Sequence, residues 1–297
     1  GNDDEGAGSL SNTILKDFSL TNKLLRLLNT AYFGQYGGTI STVSRAVVIL
    51  GFDRVRSVAM TLLLMENLQN KAQAAQLKQD VVAGYFSGLL ARELVSKASI
   101  RDGEEAFICT MFRDLGRLLT RFYLEDEAVQ VDRLIEQSGL DERQASHQAL
   151  GLSYEELGVG VARAWNFPDR MIQSMRRLPE EQVRRPATPE DRLRAIAELA
   201  TSLSTAIRDP NEESRARRMQ LLADKFGKAL GVTSQILEHA VQKSVQELRR
   251  DAAALDLRSA DEFLSRAHFA AAADAGAKPV AAADQLETLI ETATLKT

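Results

Sequence analysis

The sequence predicts an all-α fold. Three observations carry that expectation: apolar residues recur at helical spacing almost throughout, no alternating stretch lasts long enough for a strand, and Gly, Pro and Asn stand where the periodic segments stop.

Leu20, Leu24, Leu27 and Ala31 share one helix face, as do Val43, Ala46, Val47 and Leu50, and then Phe52, Val55, Ala59, Leu62 and Met65. Val81, Tyr85 and Leu89, joined by Val82, Phe86 and Leu90, give a helix with so wide an apolar face that it should lie centrally. Gly84 and Gly88 on it mark where another backbone comes close. Phe107, Met111, Leu115, Leu118 and Phe122 form a further buried pattern. Tyr154, Leu157, Val161 and Trp165 follow, stopped by Asn166-Phe167-Pro168, since the residue before proline disfavours the helical region. Met171, Ile172, Met175 and Leu178 begin a short helix. A connector carrying Pro179, Pro186 and Pro189 comes next, and Thr188-Pro189-Glu190-Asp191 opens a helix with a cap, a proline in its first turn and acids against its dipole. Two more helices run through Met219, Leu222, Phe226 and Leu230 to the stop at Gly231, and through Leu237, Val241, Val245 and Leu248. Residues 270–283 are alanine-rich and read as a linker or tail.

Composition limits the chemistry. Among 297 residues, 44% are hydrophobic, enough for a real core. The apolar runs, such as 46–50 and 59–65, fall far short of the roughly 18–20 residues a bilayer requires. Net charge is −4, so the chain has no overall basic excess of the kind nucleic-acid binders show. Residues 163–194 nevertheless hold eight arginines against five acids. That region is the candidate for a nucleic-acid reading, and a solvated surface is the simpler account. Residues 251–297 hold eight acids against four bases. Residues 1–9 are small, polar and acidic and lack a signal peptide's basic and apolar regions, so a flexible N-terminus and a cytoplasmic location are expected. A first residue other than Met, and an end at Thr297 after the alanine-rich stretch, point to a piece of a longer chain.

Three histidines, His147, His239 and His268, and one cysteine, Cys109, leave no zinc cluster of ordinary spacing and few imidazole catalysts. His147 and His239 read as exposed helix residues, and Cys109 as a small core hydrophobe. Gly34 to Gly38 lacks the downstream Lys-Ser/Thr of a phosphate loop and reads as an interhelix turn. No cofactor is expected.

Four landmarks now stand in order: DFSLTNKLLRLLNTAYFG at 17–34, ISTVSRAVVILG at 40–51, EEAFICTMFRDLGRL at 104–118, and YEELGVGVARAWNFP at 154–168. Together they resemble the HDOD domain, the HD-related output domain of bacterial signalling proteins. The third is similar to that family's EEAF…HDIGKL region and the fourth to its H-x-E-V-G…W-x-L-P segment. The resemblance implies an HD-domain-like multi-helix bundle over residues 10–187, followed by an additional C-terminal helical segment over 188–269 that it does not cover.

The wider HD superfamily hydrolyses phosphate esters with metal held by histidines and aspartates. The resemblance places the first histidine at about Ala83, the adjacent His-Asp pair at Arg113-Asp114, and the later histidine near Tyr154. Only Asp114 remains a potential ligand, and an arginine beside it repels a divalent ion. Asp114 shares a face with Phe107, Met111 and Leu118, so it should be partly buried and paired, with Arg117 at i+3 the local partner and a distant arginine another. The resemblance implies a non-catalytic signal-transduction module that binds other signalling proteins, or domains of its own longer chain, often in cyclic-dinucleotide, motility or stress pathways. Arg163, Arg170, Arg176 and Arg177 are the candidate interaction patch, and self-association is a further expectation. The alternative is a divergent metal-dependent HD-type phosphohydrolase using Asp114 and other carboxylates.

Overall fold

The computed structural model describes residues 75–95, 100–164, 167, 169–178, 183–255, 257 and 259–266, together with 24, 46–48, 51, 55, 56, 58, 59 and 62. Most of the first two landmarks, Trp165, His268 and the alanine-rich stretch lie outside the described residues. Every regular element among those described is helical, as the periodicity requires.

Helix α1, Ala75–Val95, is the axis of the fold. Residues 77 and 79–92 are buried almost without interruption, because this helix is apolar on nearly every side. It packs on α2 (Ile100–Met111), α3 (Leu115–Tyr123), α8 (Pro189–Ala206), α10 (Ser234–Leu255) and α11 (Ala260–Arg266). Gly88 admits the α2 backbone, since a Cβ there would stand 3.0 Å from the Phe107 carbonyl oxygen. At Gly84 the nearest such atom is 3.7 Å away, an ordinary contact, so only one of the two glycines is sterically required.

The pattern from Phe107 to Phe122 is not one helix. A 3-10 turn, Phe112–Asp114, separates α2 from α3. Beyond α3, the helices α4 (Glu125–Ser138), α5 (Glu142–Leu150), α6 (Tyr154–Ala164) and α7 (Asp169–Ser174) form a compact side layer. Glu125, Asp126 and Glu127 favour the positive end of α4, and a reciprocal capping box of Asp141 and Gln144 opens α5. Val131, Ala145 and Tyr154 close a small apolar cluster beneath this layer.

Thr188 caps α8 by accepting from the Asp191 amide at 3.1 Å, with Pro189 in the first turn as expected. Helix α9, Glu212–Leu230, ends at Gly231 in the left-handed region (φ 72°). Helices on both sides of the connector share one large hydrophobic cluster, and Phe86 of α1 meets Phe263 of α11 with ring centroids 5.3 Å apart.

Helix α10 is also fastened to α1 by buried polar groups. Arg92 pairs with Glu247, and the Tyr85 hydroxyl donates to Asp251 at 2.8 Å. Burial raises the Asp251 carboxyl above its ordinary range, and the Tyr85 hydrogen bond only partly opposes this. A carboxyl raised in the folded state binds its proton more tightly there than in the unfolded chain. Its contribution is therefore full below the ordinary aspartate range and is lost as pH rises through the folded value. Asp251→Asn keeps an acceptor for Tyr85 and removes the titration. Its melting temperature should fall less than that of the parent chain as pH is raised from strongly acidic toward neutral. Parallel curves for the two proteins would refute this.

Candidate functional site

The turn at 112–114 sets the geometry of the site. It carries Arg113 out of α2, and α3 then places Arg117 and Arg121 at successive four-residue steps, giving a stripe of three guanidinium groups. Each is taken by carboxylates from other helices. Arg113 is buried; its Nη1 donates to the carbonyl oxygens of Ser174 (3.0 Å) and Arg176 (3.2 Å), and its Nη2 pairs with Glu198 of α8. Arg117 reaches Glu142 of α5 at 2.6 Å and Asp114 at 3.6 Å. Arg121 holds Asp132 of α4 through two parallel bonds of 2.8 and 2.9 Å. It also lies 2.7 Å from Asp80 of α1 as an ion pair without hydrogen-bond alignment. Five carboxylates from five parts of the chain thus converge on one stripe.

Burial shapes the charges. It pulls the Arg113 guanidinium below its ordinary value, against Glu198 and Asp114, which favour the charged form. Burial likewise raises the Asp80 carboxyl, opposed by Arg121, Arg117 and a bond from Gln76 at 3.1 Å. Tyr154, pushed up to about 12 mainly by burial, has no hydrogen-bond partner for its hydroxyl among the described residues.

The structure brings the sequence-derived positions together. Ala83 and Asp114 line one void of about 10 Å³, with Asp80, Ser87, Arg117 and Ser204. Arg113 and Asp114 border a neighbouring open cavity of about 440 Å³, also lined by α8 and by Arg218, Leu221 and Lys225 of α9. Tyr154 sits against α3, its carbonyl beside Gly116 and its ring in the field of Arg117 and Arg121. Asp114 is partly exposed and its side chain pairs with Arg117, the local partner that the i+3 spacing picks out.

The four arginines of the candidate patch go separate ways. Arg177 pairs with Glu142 and lines the 440 Å³ cavity. Arg170 holds Glu105 at 3.1 Å and Glu190 at 2.9 Å and borders a different cavity. Arg176 offers its carbonyl to Arg113 and Arg194 and is half-buried, while Arg163 is exposed near the end of α6. Sequence reasoning missed Asp80, Glu142, Glu198 and Arg121. The four-residue spacing of the arginines was the available signal. Their partners were not legible, because the Arg113–Glu198 pair spans 85 positions.

The donor set does not fit a dication. At the implied ligand positions stand a methyl group, a guanidinium and a phenol, and the carboxylates nearby are already bound by arginines. Among the described residues no three His, Cys, Asp or Glu are grouped to hold a metal. His147 and His239 are exposed, and the buried Cys109 thiol is pushed up to about 12, chiefly by burial. Asp114→Ala removes only a partly exposed pair, so it should cost about 1 kcal/mol or less in a urea melt; a loss several times larger would show that Asp114 does more than pair with Arg117.

The model of the HDOD domain matches residues 2–180. Among solved structures, an HDOD domain protein with unknown function from Geobacter sulfurreducens aligns with a TM-score of 0.56 and 17% identity, covering 86% of each chain. A protein of Shewanella amazonensis SB2B named "Putative phosphohydrolase" also aligns at 0.56, with 18% identity, over 86% of this chain and 87% of that one. These likenesses establish the helical fold. None of the curated proteins matches.

Proposed function

The chain belongs to the HDOD domain family, and on that premise we propose that it is a non-catalytic signal-transduction module, a regulatory scaffold of the cytoplasm that works by binding other proteins. The observation that carries this reading is the arginine stripe: the carboxylates that would have to gather around a metal are held one by one on Arg113, Arg117 and Arg121. A hydrolytic centre needs carboxylates and neutral nitrogens converging on one ion. Here the protein's own fixed cations take those carboxylates, and the result is a latch joining α3 to helices α1, α4 and α5 and the turn before α3 to α8.

Such a latch suits a relay. Arg117, Glu142 and Arg177 border an open cavity, so a partner or ligand that competes for their ion pairs would favour one arrangement of the surrounding helices over another. Tyr123, Leu124 and Val129, exposed where α3 turns into α4, offer a protein partner apolar surface. The partners that fit are other signalling proteins, a further domain of a longer chain, or a second copy. No described helix is long and apolar enough to cross a membrane.

Metal analysis of the purified protein, coupled to a phosphodiesterase assay on bis(p-nitrophenyl) phosphate with Mn, Fe, Mg or Zn supplied, tests the reading. The expected result is no stoichiometric metal and no turnover above buffer. Stoichiometric metal with turnover that Asp114→Ala abolishes would establish the divergent phosphohydrolase instead.

A further inference from the structure

A second cavity, about 890 Å³, shares no lining residue with the arginine stripe. It lies where the end of α1, the start of α8, the last turn of α9 and residues 185–189 meet. Its volume is within the range of about 300–1,000 Å³ typical of small-molecule sites. Buried side chains Val95, Leu193 and Ile196 contribute apolar surface to it.

The polar part of the wall is one-sided. Four cations, Arg170, Arg185, Arg192 and Lys228, face a single carboxylate, Glu105, which Arg170 already holds. Arg185, Arg192 and Lys228 form no ion pair among the described residues. Lys228 has a local reason for its place, since a cation is favoured in the last turn of α9. Arg192 has none: it follows the first turn of α8, at the helix's positive end, and Glu190 of that turn is engaged by Arg170. Like charges gathered at a hollow whose wall is part polar and part apolar, one of them at the unfavourable end of a helix, become favourable when an anion lies between them. Pro186 and Pro189 stiffen the rim that carries Arg185 and Arg192, which lowers the ordering cost of binding.

We propose that this cavity binds a small amphipathic anion: a carboxylate, sulfonate or phosphate group held by Arg185, Arg192 and Lys228, with an apolar body lying on Val95, Leu193 and Ile196. Bound there, it would bridge α1 and α8 to the end of α9 and hold the connector between them in place.

Anilinonaphthalene sulfonate has both parts and reports by fluorescence. The full chain is titrated with it at low ionic strength, and the bound dye is then challenged with dodecanoate and, separately, with adenosine monophosphate. One saturable site is expected, displaced by at least one competitor, and the competitor that succeeds tells an acyl body from an aromatic one. Arg185→Glu with Arg192→Glu should weaken dye binding about tenfold or more. Arg249→Glu, an exposed charge reversal on α10 that does not line the cavity, should leave it unchanged. Lys228→Glu gives an independent variant should the double one fail to fold. No saturable binding, displacement by neither competitor, or equal affinity in the folded cavity variants and the parent chain would overturn the proposal.

Discussion

Gly116→Ala should unfold the protein or lower its stability by about 3 kcal/mol or more in thermal or urea melts. A Cβ at this position would stand 1.9 Å from the carbonyl oxygen of Tyr154, 2.8 Å from its carbonyl carbon and 2.9 Å from the Gly158 amide nitrogen. All three are backbone atoms, so no rotamer change relieves the clash, and α3 and α6 must separate. Separation would also pull Arg117 and Arg121 away from the carboxylates they hold, because both ride on α3. Two other glycines calibrate the effect. At Gly88 the added methyl meets the Phe107 ring edge at 2.9 Å and the Met111 side chain at 3.0 Å, which can shift in part, and the Phe107 carbonyl at 3.0 Å. An intermediate loss is expected there. Gly160 lies in α6 with nothing within 4 Å, so Gly160→Ala should be neutral or stabilise by up to ~1 kcal/mol through helix propensity. An ordering other than Gly116, Gly88, Gly160 would mean that backbone approach does not control these sites.

The glycines also show how much could be read in advance. The breadth of the apolar pattern from Val81 to Leu90 places α1 at the centre without any tertiary information, and the structure has it there. The Thr188-Pro189 opening and the Gly231 stop are local signals, governed by a few neighbouring backbone groups, and both are realised. The turn at 112–114 was not legible, because Met111, Leu115 and Leu118 keep helical spacing through it. That Gly88 is tight and Gly84 is not depends on which face α2 occupies, a tertiary fact. Asp114 with Arg117 could be found because the pair lies within one turn. Asp80, Glu142 and Glu198 could not, because a carboxylate's partner is set by chain folding over tens of residues, and sequence spacing carries no record of it.

Arg113→Met should cost about 3–5 kcal/mol, the range found when one partner of a buried ion pair is removed. Three acceptors lose a donor at once: the Glu198 carboxylate and the carbonyl oxygens of Ser174 and Arg176, the last of which retains Arg194 at 2.9 Å. Glu198 would keep only the Leu178 amide, at 3.4 Å. Adding Glu198→Gln removes the uncompensated charge, so the double variant should recover part of the loss, a coupling that a double-mutant cycle measures directly. Arg117→Met should cost less, because Glu142 retains Arg177. Arg113→Lys should not rescue, since a compact ammonium cannot reproduce a planar fork that spans two carbonyls and a carboxylate. The sharpest variant is Arg113→His, which supplies the residue the HD superfamily's pattern implies here. One imidazole cannot reach all three acceptors, so histidine should destabilise nearly as much as methionine. If histidine left stability unchanged, the guanidinium would not be the latch between α7, α8 and the turn before α3, and the case for a site converted from metal binding to internal pairing would fail.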